Sequence, residues 1–316
     1  MAQDPENLAR VVLFDPIRQN LRTTRYALYE LGFREIDTFS ALGEVRERVE
    51  AADVDLLVME PEDDPKVFSL VRDIRHSRIG RNPFSVIFLT CWTRDPQNIR
   101  QALESGADDL IARPFSTRFL DERVAAAIER RKRFVVTSDY IGPDRRSGPR
   151  PGAADPRYLN APNTLKAAAK GDWEALEATY QHIKTVQEDV AKERVQRLSV
   201  RIAADLEISN PSSPSAEISV IKQARELERL AERVGPETAS IAKALTKSLT
   251  DGEAGAPGKR WRVARELAHG VCVSSGHGDS SASEEIDRLV GKLREKQDSV
   301  AKDGGLEKQK GLHSAA

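Results

Sequence analysis

The sequence has only two cysteines, Cys91 and Cys272, in 316 residues. That is too few for a disulfide framework or a cysteine-based zinc site. Aromatic residues make up 5%, with three tryptophans. Long apolar runs are missing too. Stretches such as Leu56 to Met59 and Val86 to Leu89 fall far short of the roughly 20 residues a membrane helix needs, so membrane insertion is excluded. No basic start followed by an apolar stretch opens the chain, so no secretory signal is expected. A surplus of one charge is also missing. Lysine and arginine number 49 against 50 acids, a formal net charge of −1, which argues against nucleic-acid binding through phosphate neutralisation. The expected compartment is a reducing cytoplasm.

What is present is unevenly placed. The length suggests about two domains. All nine phenylalanines lie between Phe14 and Phe134, and beyond them come only Tyr140, Tyr158, Trp173, Tyr180 and Trp261. Up to Arg133 there are 21 basic and 23 acidic residues, and beyond it 28 and 27. Sign therefore does not separate the halves; core-forming residues do. Roughly 130 residues are enough to bury a core of their own.

The first half alternates strand and helix. Arg10 to Phe14 is a short apolar run closed by Asp15-Pro16. Leu21, Leu28 and Leu31 follow at helical spacing, and Gly32 ends that segment. Further strands are expected at Ile36–Phe39, Val54–Met59, Phe84–Thr90 and Asp109–Ala112. Helices are expected at Ala41–Ala52, Val67–Ile74, Pro96–Ser105 and Ser116–Arg133, the last with Ser116 as its N-cap. Five such units in succession imply a doubly wound α/β domain with a parallel sheet. Its site belongs at the carboxyl ends of the strands, where Asp15, Glu60, Thr90 and Arg113 stand.

The pattern around those positions resembles the receiver domain of bacterial two-component response regulators. The resemblance rests on Phe14-Asp15, Glu30-Leu-Gly-Phe33, Val54-Asp-Leu-Leu-Val-Met-Glu-Pro61 and Leu89-Thr90. Its most specific part is Ala102-Leu-Glu-Ser-Gly-Ala-Asp-Asp-Leu-Ile-Ala-Arg-Pro-Phe115, where the family has Lys-Pro-Phe at the end. It covers residues 8–133 and implies a flavodoxin-like five-stranded sheet in the order 2-1-3-4-5.

The chemistry implied by the resemblance is degenerate. A working receiver holds Mg²⁺ on an acid pair after its first strand and an aspartate after its third; that aspartate takes the phosphoryl group. Asp15 matches the first acid, but Pro16 replaces the second and Glu60 replaces the acceptor. The extra methylene of glutamate moves its carboxylate by roughly 1.5 Å, more than an in-line transfer tolerates. Losing one ligand and moving another weakens a site for an ion that needs near-ideal octahedral geometry, so no cofactor is expected. Glu60 has two readings: a fixed partial imitation of a phosphoryl group, or a structural partner of Arg113, which replaces the family's lysine and could grip it through two nitrogens. The structural pair is preferred. Thr90 matches the switch hydroxyl, Leu110 replaces an aromatic switch residue, and Pro114 is expected to follow a cis peptide bond. Asp63 and Asp64 are alternative acceptors, read first as loop acids or helix caps.

The second half says less. Residues 134–160, rich in glycine, proline and arginine, read as an extended linker or arm anchored by Tyr140. Arg145-Arg146 is a weak match to a cyclic-dinucleotide motif. Residues 161–250 read as a helical bundle or interaction region, 251–258 as a flexible linker, 259–300 as further helices and 301–316 as a disordered tail. His182 and His269 each sit in a fragment of a phosphotransfer pattern, without its lysine-glycine order; both read better as surface histidines. No nucleophile elbow, phosphate loop or zinc spacing occurs, so no enzyme activity is expected. The expected role is a pseudo-receiver that docks protein partners, a histidine kinase or another regulator, with self-association as a further expectation. The competing reading is a phosphorylatable regulator with an unconventional acceptor.

Overall fold

The computed structural model describes residues 7–61, 64–92, 95–145, 157–251 and 257–295. They fall into two compact units, Met1–Gln187 and Glu188–Ala316. In the first, β1 (Arg10–Phe14), β2 (Glu35–Phe39), β3 (Leu56–Met59), β4 (Val86–Cys91) and β5 (Asp109–Ala112) form a parallel sheet in the order β2-β1-β3-β4-β5. Helices α1 (Arg18–Glu30), α2 (Leu42–Ala51), α3 (Lys66–Arg75), α4 (Pro96–Glu104) and α5 (Thr117–Glu129) follow the strands in turn. Ser116 caps α5, accepting the Phe119 N–H at 3.2 Å.

Alternate residues of the central strands serve two cores. Val11, Leu13, Leu56, Val58, Val86 and Phe88 meet Leu28 of α1 and Leu120 of α5. Their neighbours Val12, Phe14, Leu57, Met59, Ile87 and Leu89 meet Val45 of α2 and Val71 of α3. Two covered faces explain why these strands read as unbroken apolar runs. Strand β2 is an edge, and Glu35, Asp37 and Thr38 stay exposed on it.

The first unit does not stop at Arg133. The segment expected to be an extended linker contains β6 (Phe134–Val136), β7 (Ile141–Pro143) and β8 (Arg157–Leu159), an antiparallel sheet in the order β7-β6-β8. Phe134, Val135, Val136 and Ile141 are buried. Charge fixes this sheet in place. Asp108 accepts from Arg75 Nη2 at 2.7 Å and from Arg131 Nε at 2.8 Å, and both guanidiniums lie over the Phe134 ring, at 5.1 and 4.8 Å. Burial lowers the Arg75 pKa to about 10, with Asp108 opposing the shift. Burial pushes the Asp108 carboxyl up, but Arg131 and Arg75 outweigh it and leave the group below its ordinary value. Tyr140 donates to the Pro143 carbonyl within its own turn at 2.9 Å.

One helix expected in the second domain, and the first turns of another, belong to the first unit. Helix α6 (Thr164–Ala169) places Leu165 and Ala168 in the core beside α1 and α5. Helix α7 (Trp173–Ile208) adds Leu176 to the same core. Its Tyr180 hydroxyl donates to the buried Asp55 at 2.5 Å and accepts from Arg10 at 2.5 Å. The bundle itself is therefore confined to the second unit. There the later turns of α7 meet α8 (Pro214–Ala231), α9 (Pro236–Thr250) and α10 (Pro257–Ser274) around Leu198, Ile202, Leu227, Leu245 and Trp261. A further helix, α11 (279–295), adds Ala282 beside Cys272. No helix among the described residues is long and apolar enough to cross a membrane. The tail 301–316 and most of the 251–258 linker lie outside the described residues.

Two substitutions test how firmly the small sheet is held. Gly106 has φ +95°, and a Cβ there would lie 2.5 Å from the Ile141 carbonyl oxygen. Gly106→Ala should cost about 2 kcal/mol or more in urea unfolding. Gly32→Ala, at φ +93° but with open space around it, should cost only about 1 kcal/mol. Equal losses would show that β7 does not press on Gly106. In the same assay Tyr180→Phe should cost about 1–3 kcal/mol by leaving buried Asp55 short of a donor.

Candidate functional site

The parallel sheet brings Asp15, Glu60, Thr90 and Arg113 to one end. Each follows or closes a strand, and backbone bonds set their heights. The Glu60 N–H donates to the Phe14 carbonyl at 2.9 Å, and the Arg113 N–H donates to the Cys91 carbonyl at 2.7 Å. Asp15 turns back over the start of α1, where its Oδ1 accepts from the Ile17 N–H at 2.8 Å and from Asn20 Nδ2 at 3.3 Å.

One guanidinium joins the acids. Arg113 Nε donates to Glu60 Oε2 at 3.2 Å, and Arg113 Nη2 donates to Asp15 Oδ2 at 3.2 Å and to Thr24 Oγ1 at 3.1 Å. Thr90 Oγ1 donates to the same Glu60 oxygen at 2.7 Å. The two-nitrogen grip on Glu60 is thus replaced by a bridge. Burial is the reason: Asp15 is fully buried and Glu60 is 2% exposed, so both need the cation. Phe115 and Trp92 flank the guanidinium at 4.9 and 5.9 Å. Burial raises the Asp15 pKa, and the Ile17 N–H, Arg113 and Asn20 only partly offset it. The Arg113–Pro114 peptide bond is cis.

The space between the two carboxylates is bridged by Arg113, and Pro16 supplies no side-chain ligand. No group of three or more potential metal ligands occurs among the described residues. Beside Glu60 lies a cavity of about 350 Å³, lined by Leu110, Phe68, Ile99 and the half-exposed Trp92. Leu110 fills less of this space than an aromatic side chain would.

The other candidates stand apart from this cluster. Asp64 lies just before α3 and accepts the Lys66 N–H at 2.9 Å, while Pro65 holds the cap position; Asp63 lies outside the described residues. His182 is exposed on α7. His269 on α10 contacts Ser283 Oγ at 3.1 Å and Asp279 at 3.6 Å. Arg145 donates to the carbonyls of Ala107 and Asp108, a structural use; Arg146 lies outside the described residues. Thr24 escaped the sequence reading. Its one signal is a polar residue at position i+3 from Leu21, on the buried face of α1.

The sheet order β2-β1-β3-β4-β5, with helices on both faces and an all-helical region after it, is that of a receiver-like fold. No protein-family model matches the chain, and no curated protein does. Among solved structures it is similar to an orphan response regulator of H. pylori, at 26% identity over 39% of this chain and 98% of that one, with a TM-score of 0.33. It is also similar to a pilus assembly-related protein from Burkholderia pseudomallei, at 13% identity over 39% of this chain and 90% of that one, again with a TM-score of 0.33.

Removing the bridge tests it. Arg113→Met leaves two buried carboxylates without their cation and should cost about 3–5 kcal/mol at pH 7. The loss should shrink on acidification. A carboxyl whose folded pKa lies above its unfolded value favours the folded state below the ordinary aspartate range, and that stability is lost as pH rises through the folded pKa. Removing Arg113 raises the folded pKa further, so the deficit should narrow as pH falls through that window. Urea melts of wild type and variant across pH would show it, and a pH-independent deficit would contradict the bridge.

Proposed function

We propose that this chain is a response-regulator-like signalling protein whose first unit is a pseudo-receiver. It docks protein partners and takes no phosphoryl group on an aspartate. The observation that carries this reading is Arg113 shared between Asp15 and Glu60, with Thr90 on the same Glu60 oxygen. Phosphoryl transfer depends on metal ions and cations placed to neutralise the group in transit. Here the guanidinium is already taken by resident carboxylates, and the acid at the acceptor position is buried. On this reading the cluster is structural, and the chain uses no cofactor and carries out no catalytic step.

The partner is a protein of a signalling pathway, a histidine kinase or another regulator, and the setting is cytoplasmic. Docking is assigned to the face made by α4, β5 and α5. Ion pairs Arg100–Glu104, Arg118–Glu122 and Arg123–Asp109 lie along it at 2.7, 3.3 and 3.4 Å. Exposed pairs of this kind add little to folding stability, so their charges are open to exchange with a partner's. The absence of a net surplus in either half favours a protein surface over nucleic acid.

Incubation with acetyl phosphate and Mg²⁺, followed by intact-mass measurement, tests the reading. The wild-type chain should gain no phosphoryl group. A gain that disappears in Glu60→Gln, Asp63→Asn or Asp64→Asn would overturn it and identify the acceptor.

A further inference from the structure

We propose that a cationic cavity beside the start of β5 binds phosphate, either as the free ion or as the phosphoryl head of a small metabolite. This goes beyond the pseudo-receiver reading and does not depend on it. The cavity holds about 180 Å³. Arg123, Arg130, Arg131, Lys132 and Arg145 line it, against two acids, Asp108 and Asp109.

The acids are already engaged. Asp108 accepts from Arg75, from Arg131 and from the Ile87 N–H, at 2.7, 2.8 and 2.9 Å. Arg131 is spent as well, since its remaining donors go to the carbonyls of Phe84, Pro162 and Ser85. Asp109 pairs with Arg123 at 3.4 Å. Arg130, Lys132 and Arg145 are left with no acidic partner within 4.0 Å among the described residues.

Arg145 is the most informative of the three. Its Nη2 is tied to the carbonyls of Ala107 and Asp108, at 2.5 and 3.3 Å, so the side chain is held in position. Its Nε is buried without a hydrogen bond of good geometry, although the Tyr140 side chain interacts with the same guanidinium. A charged donor left in that condition is costly, and an oxyanion is the ligand that satisfies a guanidinium best. The carboxyl end of α5 explains why Arg130 and Lys132 stand where they do, because cations suit a helix C-terminus. It does not explain Arg145, which follows β7. One water takes about 30 Å³ of liquid, so the cavity has room for a phosphate group, while the body of a larger ligand would lie outside it.

Calorimetric titration of the full-length protein at fixed ionic strength, with chloride as reference anion, tests this. The probes are orthophosphate, pyrophosphate and AMP. At least one should bind saturably with a Kd below about 1 mM. Orthophosphate binding as tightly as AMP identifies the free ion as ligand; AMP or pyrophosphate binding more tightly identifies a phosphoryl head. Lys132→Gln alters an exposed side chain and should weaken binding about tenfold, as should Arg145→Gln, while Arg100→Gln on α4 should leave it unchanged. Heats no different from chloride, or binding unaltered in both Lys132→Gln and Arg145→Gln, would overturn the proposal. Lys132→Gln keeps the test valid if Arg145→Gln unfolds.

Discussion

The first unit depends on how few cations serve its buried acids. Asp15 and Glu60 stand at the carboxyl ends of neighbouring strands, and one guanidinium answers both. Burial lifts the Asp15 pKa, and the Ile17 N–H, Arg113 and Asn20 offset it only in part. The surrounding groups are placed to lessen that cost: Thr90 and the Ile17 N–H donate to the acids, and Thr24 accepts the remaining reach of Arg113. The cluster is stable as a whole and intolerant of losing its one cation.

At the other end of the sheet the same problem has the opposite balance. Asp108 has two arginines, Arg75 and Arg131, and stays below its ordinary pKa. That surplus is what ties the antiparallel sheet to the parallel one, because Phe134 offers its ring to both guanidiniums. Asp55 repeats the device with Arg10 and the Tyr180 hydroxyl, and so fixes the first turns of α7. Polar anchors, together with the burial of Leu165, Ala168 and Leu176, extend the unit to Gln187.

This explains what could and could not be read from the chain. The parallel strands and their helices were legible because the central strands are short unbroken apolar runs, covered on both faces, and helical spacing separates them. The four site positions were legible because a parallel sheet must bring its carboxyl ends together. The bridging geometry of Arg113 was not, since which of two acids a long side chain reaches depends on burial. Strands β6, β7 and β8 have three residues each, too few to show a period, and they lie in a stretch whose glycine, proline and arginine suggested a linker. Nothing in the sequence marks Arg75 as fully buried. Likewise Tyr180 falls on an amphipathic stripe that read as part of a separate bundle.

The arrangement bears on how such a domain could signal. A ligand or modification moves an equilibrium only to the extent that it binds two states differently. In the pseudo-receiver reading, Arg113 already occupies the place where an incoming charge would act, and Leu110 lacks the bulk of the aromatic found in related switches. No second state is then favoured by phosphoryl chemistry at Glu60. On that reading, information would enter by another route: through which partner holds the proposed docking face, through how much of the protein is present, or through occupancy of a site away from the degenerate cluster. The cavity beside β5 is placed for the last of these, because Asp108 and Arg131 in its wall also hold the antiparallel sheet. An anion held there by Arg130, Lys132 and Arg145 would lie against the Asp108–Arg131 pair, and so would act on the contact that joins the two sheets.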